Sequence, residues 1–215
     1  MENPDRELII GMLSEAFRQN PRAMAMMKKK DPARSLRLMT EYAYKLVEKF
    51  DGIYLSEDKS TVLFYYLKSQ YHRTFVDYLR YGKMFLQAIR PSQLLPTLRR
   101  EKYIASLRPD YEDYVYVWVL GSNADNTSIR GLADIRDHLF DLSERLQLPI
   151  LIETTIEKLL RLYKYVGFEV YHQWHDEEAD ISVWFLQREL EKANQVRQAK
   201  KARQARQAKS AKQSA

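Results

Sequence analysis

The apolar positions of this chain fall into runs of different period, and the changes of period mark its elements. Tyr114-Val115-Tyr116-Val117-Trp118-Val119-Leu120 is continuous β-branched, aromatic and aliphatic sequence, bounded by Asp113 and by Gly121-Ser122-Asn123. An apolar run without polar alternation reads as a strand buried on both faces. From Asp134 to Leu146 the apolar residues Ile135, Leu139, Leu142 and Leu146 recur at the spacing of one helical face. Pro149 to Thr154 returns to strand pattern, and Ile156 to Val166 reads as a short helix. Gly167 follows where a left-handed capping residue is wanted. Phe168-Glu169-Val170-Tyr171 and Ile181 to Leu186 read as two strands, with Asp176-Glu177-Glu178 as the turn between them.

The first half is read the same way. Asn3-Pro4 can cap and start a helix whose apolar stripe is Leu8, Ile9, Met12, Leu13, Ala16 and Phe17. Asn20-Pro21 ends it. Met24, Met26 and Met27 lead into Lys28-Lys29-Lys30, which reads either as a mobile loop with an adaptable surface or as a lid over an apolar groove. Asp31-Pro32 starts a second helix running to Phe50. Gly52 to Ser56 and Thr61 to Leu67 flank the polar turn Glu57-Asp58-Lys59-Ser60 as a hairpin. Residues 70–90 form a helix rich in Tyr, Phe and Arg, broken at Arg90-Pro91, and Ser92 to Ser106 forms another. The aromatic series Tyr65, Tyr66, Tyr71, Phe75, Tyr78, Tyr81 and Phe85 is expected to pack in the core.

Composition narrows the chemistry. The 215 residues are 45% apolar, enough for a substantial core, and no apolar run approaches the ~20 residues of a membrane span. The polar, acidic start is unlike a secretory signal. With no cysteine, disulfides, thiolate ligands and a cysteine nucleophile are excluded, and a reducing cytoplasm fits. His72, His138, His172 and His175 show no metal-ligand spacing, so no metal is expected. The net charge of +6 belongs to the end of the chain: eight Lys and Arg and no acid follow Glu191, leaving residues 1–191 at −2. That tail repeats Arg/Lys-Gln-Ala with no large apolar residue after Val196. It is expected to be a solvated helical or disordered extension, with nonspecific nucleic-acid contact as the sharper alternative. The expected organisation is one domain over residues 1–188 and a basic tail over 189–215.

The order hairpin, helices, strand, loop, helix, strand, helix, strand resembles that of the GNAT superfamily of acetyl-CoA-dependent N-acetyltransferases. Three segments carry the resemblance. Tyr116 to Gly121 resembles the family's fourth strand, Leu148-Pro149-Ile150-Leu151-Ile152-Glu153-Thr154 its fifth, and Leu162-Tyr163-Lys164-Tyr165-Val166-Gly167-Phe168-Glu169-Val170 the segment that follows. The likeness is strongest over residues 111–188, and no first strand precedes the opening helix. It implies an α/β fold with a mixed, twisted sheet flanked by helices. It also implies acetyl-CoA as co-substrate, an amine of a small molecule or peptide as acceptor, and a homodimer as a further arrangement. The backbone of Val119, Leu120 and Gly121 would bind the pantetheine arm, and the start of the following helix would hold the diphosphate.

The phosphate loop departs from the family pattern. Its Gln/Arg-x-x-Gly-x-Gly/Ala motif falls, without gaps, on Thr127-Ser128-Ile129-Arg130-Gly131-Leu132, where both glycine positions are lost. A register one residue later, Ser128 to Ala133, recovers Gly131 and Ala133 but needs an insertion. Either Arg130 supplies charge in place of close backbone contact, or its side chain fills the cradle and no CoA binds. The second outcome would leave a catalytically inactive binding protein. Tyr163 matches the tyrosine that protonates the departing CoA thiolate in many members, against an ordinary core tyrosine. Glu153, at a strand end, is the candidate base acting through water, against a structural role.

Overall fold

In the computed structural model the described residues are 4–123, 128–177 and 180–190; Asn3, Ala124, Thr127, Glu178 and nearly all of the tail lie outside them. Among the described residues seven α-helices and six strands follow one another: α1 (Arg6–Arg18), α2 (Pro21–Met26), α3 (Pro32–Glu48), β1 (Ile53–Leu55), β2 (Thr61–Leu67), α4 (Phe75–Ala88), α5 (Leu94–Ser106), β3 (Val115–Ser122), α6 (Ile129–Leu146), β4 (Ile150–Thr154), α7 (Glu157–Tyr165), β5 (Glu169–Asp176) and β6 (Ile181–Arg188). The six strands form one sheet in the order β1-β2-β3-β4-β6-β5. Every neighbouring pair is antiparallel except β3 and β4. A parallel pair needs a crossover, and α6 supplies it.

Helices cover both faces. On one, Val115 and Val117 join Ile135, Leu139, Ile152, Leu160 and Tyr163 beneath α6 and α7. On the other, Ile9, Ile10 and Leu13 of α1 pack with Tyr44 and Val47 of α3 over Val62 and Phe64. At Gly121 an added Cβ would lie 2.6 Å from Leu13 Cδ2, so the missing side chain lets α1 close on β3.

The helix starts use their expected chemistry. Asp31 caps α3 through the Arg34 N–H at 2.9 Å, and Thr74 and Asp77 form a reciprocal capping box on α4. Asp77 also takes an ion pair from Lys49, tying α4 to the end of α3.

Three expectations change. Met24 to Met27 is not a loop: α2 carries Met24 and Met26, and Met27 is buried and bridges to Ile89. Phe75 and Tyr78 do not enter the core, since the polar capping box fixes α4 with both rings outward, at 76% and 59% exposure. The strand read as ending at Tyr171 continues to Asp176, pairing with β6 along its length.

Candidate active site

The site begins where the parallel ladder stops. Val115 is opposite Ile150, Tyr116 opposite Leu151 and Val117 opposite Ile152, and there β3–β4 pairing ends although both strands continue. On its other edge β3 stays paired with β2, where Phe64 faces Val119 and Tyr65 faces Val117. Trp118 is therefore an extra residue, a bulge that turns β3 away from β4. Val119 and Leu120 then have partners on β2 and none on β4, leaving one edge of their backbone toward the gap.

The gap is open. A cavity of about 350 Å³ is lined by Trp118, Val119, Leu120, Glu153 and Thr154, with Tyr163 on its α7 wall. Phe17, Met26, Met39, Tyr42 and Phe85 close it from the helical side. A second cavity of about 900 Å³ shares Trp118 and Glu153 with it and extends past Tyr66, Tyr71, Arg73 and Arg108. The two cavities share lining residues at the splayed strands; the smaller is the more apolar, and the larger is lined by polar and apolar groups alike.

Tyr163 is held by its local turn. Gly167, at φ +97°, follows α7; the Phe168 N–H donates to the Tyr163 carbonyl at 2.9 Å, and the Gly167 N–H to that of Lys164 at 3.2 Å. This is a Schellman turn, and its apolar contact is Tyr163 against Phe168, centroids 5.8 Å apart. The Tyr163 hydroxyl has no hydrogen-bond partner among the described residues. Burial holds it well above the ordinary tyrosine range, so it carries its proton at neutral pH.

Glu153 is engaged already. Arg108 reaches its Oε1 through Nη2 at 3.3 Å and Nε at 3.4 Å, with both side chains 17% exposed. Arg108 also stacks over the Tyr116 ring at 3.9 Å and approaches the Tyr66 hydroxyl at 3.4 Å. The Tyr116 hydroxyl bonds Glu153 as well. The guanidinium and the phenol tie this carboxylate to the groove wall, where it lines both cavities.

Sequence reasoning did not single out Arg108, Tyr116, Arg73 or Glu101. For Tyr116 the signal was the alternation of the run from Tyr114 into β3: Tyr114 and Tyr116 face the groove cluster while Val115 and Val117 face α6 and α7. Arg73 lies over the Tyr81 ring at 4.9 Å, and the Tyr81 hydroxyl donates to Glu101 at 3.1 Å. Burial raises the Glu101 carboxyl above the usual range. Tyr42 and Thr97, both nine-tenths buried on the same cavity, carry hydroxyls without a partner among the described residues.

The start of α6 is arranged differently from an open anion cradle. Ser128 Oγ accepts the N–H groups of Arg130 at 3.1 Å and Gly131 at 3.3 Å. The Ser128 hydroxyl bonds Asp58, which also accepts from Ser56 Oγ and Ser60 Oγ at 2.7 Å and from the Ser60 N–H at 3.0 Å. Those bonds hold the Asp58 carboxyl well below its usual range, as an anion. A Cβ on Gly131 would meet Thr61 Oγ1 at 2.9 Å and Asp58 Oδ1 at 3.0 Å, so the glycine lets the helix seat on the β1–β2 turn. Arg130 neither fills the cradle nor lines it: its side chain is 79% exposed and lies 3.6 Å from Glu57. Ile129 is exposed, and Leu132 and Ala133 are half-buried on the first turn. Of the residues expected at the cofactor, Val119 and Leu120 face the gap, Gly121 packs under α1, and Ser128 to Ala133 form a helix start that is already capped. Thr127 lies outside the described residues. Among the described residues, then, the slot has room and a free backbone edge for a pantetheine arm, whereas the first N–H groups of α6 are already taken and do not fit a diphosphate.

The comparisons agree with the architecture. No family model matches the sequence, and no curated protein matches it. Solved structures do. An acetyltransferase from Corynebacterium glutamicum related to histone acetyltransferase HPA2 superposes with TM-score 0.62 at 14% identity, over 88% of this chain and 93% of that one. The C-terminal condensation domain of Ebony, solved with beta-alanyl-dopamine, gives 0.62 at 7% identity, over 88% and 96%. A polyamine N-acetyltransferase from Drosophila melanogaster gives 0.51 at 12% identity, over 86% and 94%. The mixed sheet flanked by helices is the GNAT fold, as the sequence resemblance implies. Among the described residues no helix is long and apolar enough to cross a membrane, and no cluster of His, Asp and Glu could hold a metal.

Proposed function

We propose that this protein is an N-acyltransferase that moves an acetyl group from a thioester, acetyl-CoA being the ordinary donor, to an amine of a small molecule or peptide. The single observation that carries the reading is the end of β3–β4 pairing at Val117 and Ile152, with Tyr163 on the wall of the cavity that opens there. In such a slot the backbone edge of Val119 and Leu120 holds the amides of a pantetheine arm as a strand neighbour would. The thioester supplies the activated acyl group. As the amine nitrogen bonds the acyl carbon and the carbon–sulfur bond breaks, Tyr163 is placed to give its proton to the leaving sulfur; the amine's own proton passes to water in the wide cavity, and water returns one to the phenol. Arg108, Glu153 and Tyr116 shape the acceptor side.

The capped start of α6 favours a second reading, a GNAT-fold binding protein that holds no thioester. One experiment separates the two. Full-length protein is mixed with acetyl-CoA and a panel of primary amines, and free thiol is followed together with the melting temperature. Amine-dependent thiol release supports the transferase. Neither release nor any thermal stabilisation by about 5 mM thioester would end that reading, because a bound ligand must stabilise by mass action.

A further inference from the structure

We infer that the donor is recognised by its pantetheine arm and acyl group, and that the start of α6 offers its nucleotide diphosphate no binding site. This rests on the acyltransferase reading and concerns the same slot. A diphosphate binds a helix start because free N–H groups point at it and the helix dipole favours its charge. Here Ser128 Oγ takes the Arg130 and Gly131 N–H groups, at 3.1 and 3.3 Å. Leu132 N–H bonds the Ser128 carbonyl within the helix at 3.2 Å. Those three N–H groups are therefore committed, and the anion that completes them is the chain's own Asp58, through Ser128.

Charge points the same way. Around that first turn stand Asp58, Glu57 and Asp134. Asp134 accepts the Glu57 N–H and the Tyr54 hydroxyl, each at 2.8 Å. Among the described residues Arg130 is the cation on that turn, spread over the surface toward Glu57 at 3.6 Å. A diphosphate brought here would displace Ser128 from two hydrogen bonds and lie beside a carboxylate held ionised by three serines. The arm-binding part of the slot shares none of these groups: it is made by the β3 edge at Val119 and Leu120 and by Thr154 and Tyr163. The two halves of a CoA-like ligand are therefore read by separate parts of the chain, and one of those parts is closed from within. Such a slot suits a pantetheine thioester carried without a nucleotide.

The test compares ligands on the full-length protein by calorimetry: CoA, pantetheine and ADP. The expected result is dissociation constants for CoA and pantetheine within about threefold of one another, with ADP not competing against pantetheine. CoA binding about thirtyfold tighter than pantetheine would overturn the inference while leaving the acyltransferase reading intact. If neither thiol binds, the acyltransferase reading fails and the inference falls with it. The double substitution Ser128→Ala with Asp58→Asn removes the internal occupant. It should raise the affinity for CoA relative to pantetheine by about tenfold. An unchanged ratio in a variant that still melts cooperatively would overturn the assignment to these two residues.

Discussion

The carbonyl of Tyr163 accepts the N–H of Phe168 at 2.9 Å, and the turn that this bond closes holds the phenol at the cavity wall. The main chain positions the side chain, so its hydroxyl is free of any described partner that would miss it. Tyr163→Phe should lower kcat by about 10²-fold or more while leaving KM and the melting temperature nearly unchanged. Steady-state kinetics beside a thermal melt checks this. An equal loss of stability would make the tyrosine a packing residue.

Gly167 can be tested in the same turn. Its φ of +97° suits glycine and strains any residue with a Cβ, although no heavy atom lies within 4 Å of the added carbon. Gly167→Ala should destabilise by about 1–2 kcal/mol through backbone strain alone. Gly11, inside α1 with the same open surroundings and no unusual φ, should gain stability of about 0.5–1 kcal/mol on Gly11→Ala. Urea unfolding of the two variants reads opposite signs if the assignment is right.

Arg108 and Glu153 should prove energetically coupled. Each is mostly buried at the groove, and leaving either without the other strands a charge. Arg108→Met and Glu153→Gln should each destabilise by about 1–3 kcal/mol. The double variant should recover about 1 kcal/mol or more of the summed loss. A coupling near zero in that cycle would reduce the pair to a surface contact.

Acid should unlock the joint between α3 and α4. Burial alone would raise the Asp77 carboxyl, but its bonds to Lys49 and to the Thr74 N–H and hydroxyl outweigh it and bring it down to about 2, below the ordinary 3.8. A group depressed on folding stabilises at pH above its unfolded value and loses that contribution as pH falls toward its folded one. Stability should therefore decline between about pH 4 and pH 2 from this group, and Asp77→Asn should flatten that part of the profile. His138 shifts down too, chiefly by burial, where it stacks on Tyr54 at a centroid distance of 3.7 Å. It adds a decline that begins as pH falls below about 6.5, because the unfolded histidine takes up its proton first.

Much of the second half was legible because local chemistry and tertiary role coincide there. β3, β4 and α7 emerge within two residues of the runs that announce them, and Gly167 sits at the left-handed position its place in the sequence suggested. The first half was legible in its elements and not in its surfaces. The periodicity of Tyr78 and Phe75 could not say which side of α4 its capping box would turn outward. The candidate site was legible where one residue's backbone or turn defines it, as at Tyr163 and Val119. It was illegible where partners come from distant segments, as with Asp58 and Ser128, or Arg108 and Glu153, which are separated by 70 and 45 residues. The sequence raised Arg130 as the occupant of the cradle, and a serine with a hairpin carboxylate took that place instead.

The segment carrying Met26 and Met27 is laced to the end of α4: Arg90 N–H reaches the Met26 carbonyl at 3.0 Å and Lys28 N–H the Ala88 carbonyl at 2.9 Å. Arg90 Nε adds a bond to the Met27 carbonyl at 3.0 Å. The roof above the narrow chamber is consequently sewn to one of its side panels. Anything too bulky for the resting volume would have to hoist both together, so the limit on what that chamber holds is set by the stitching between two helices and not by a freely swinging flap.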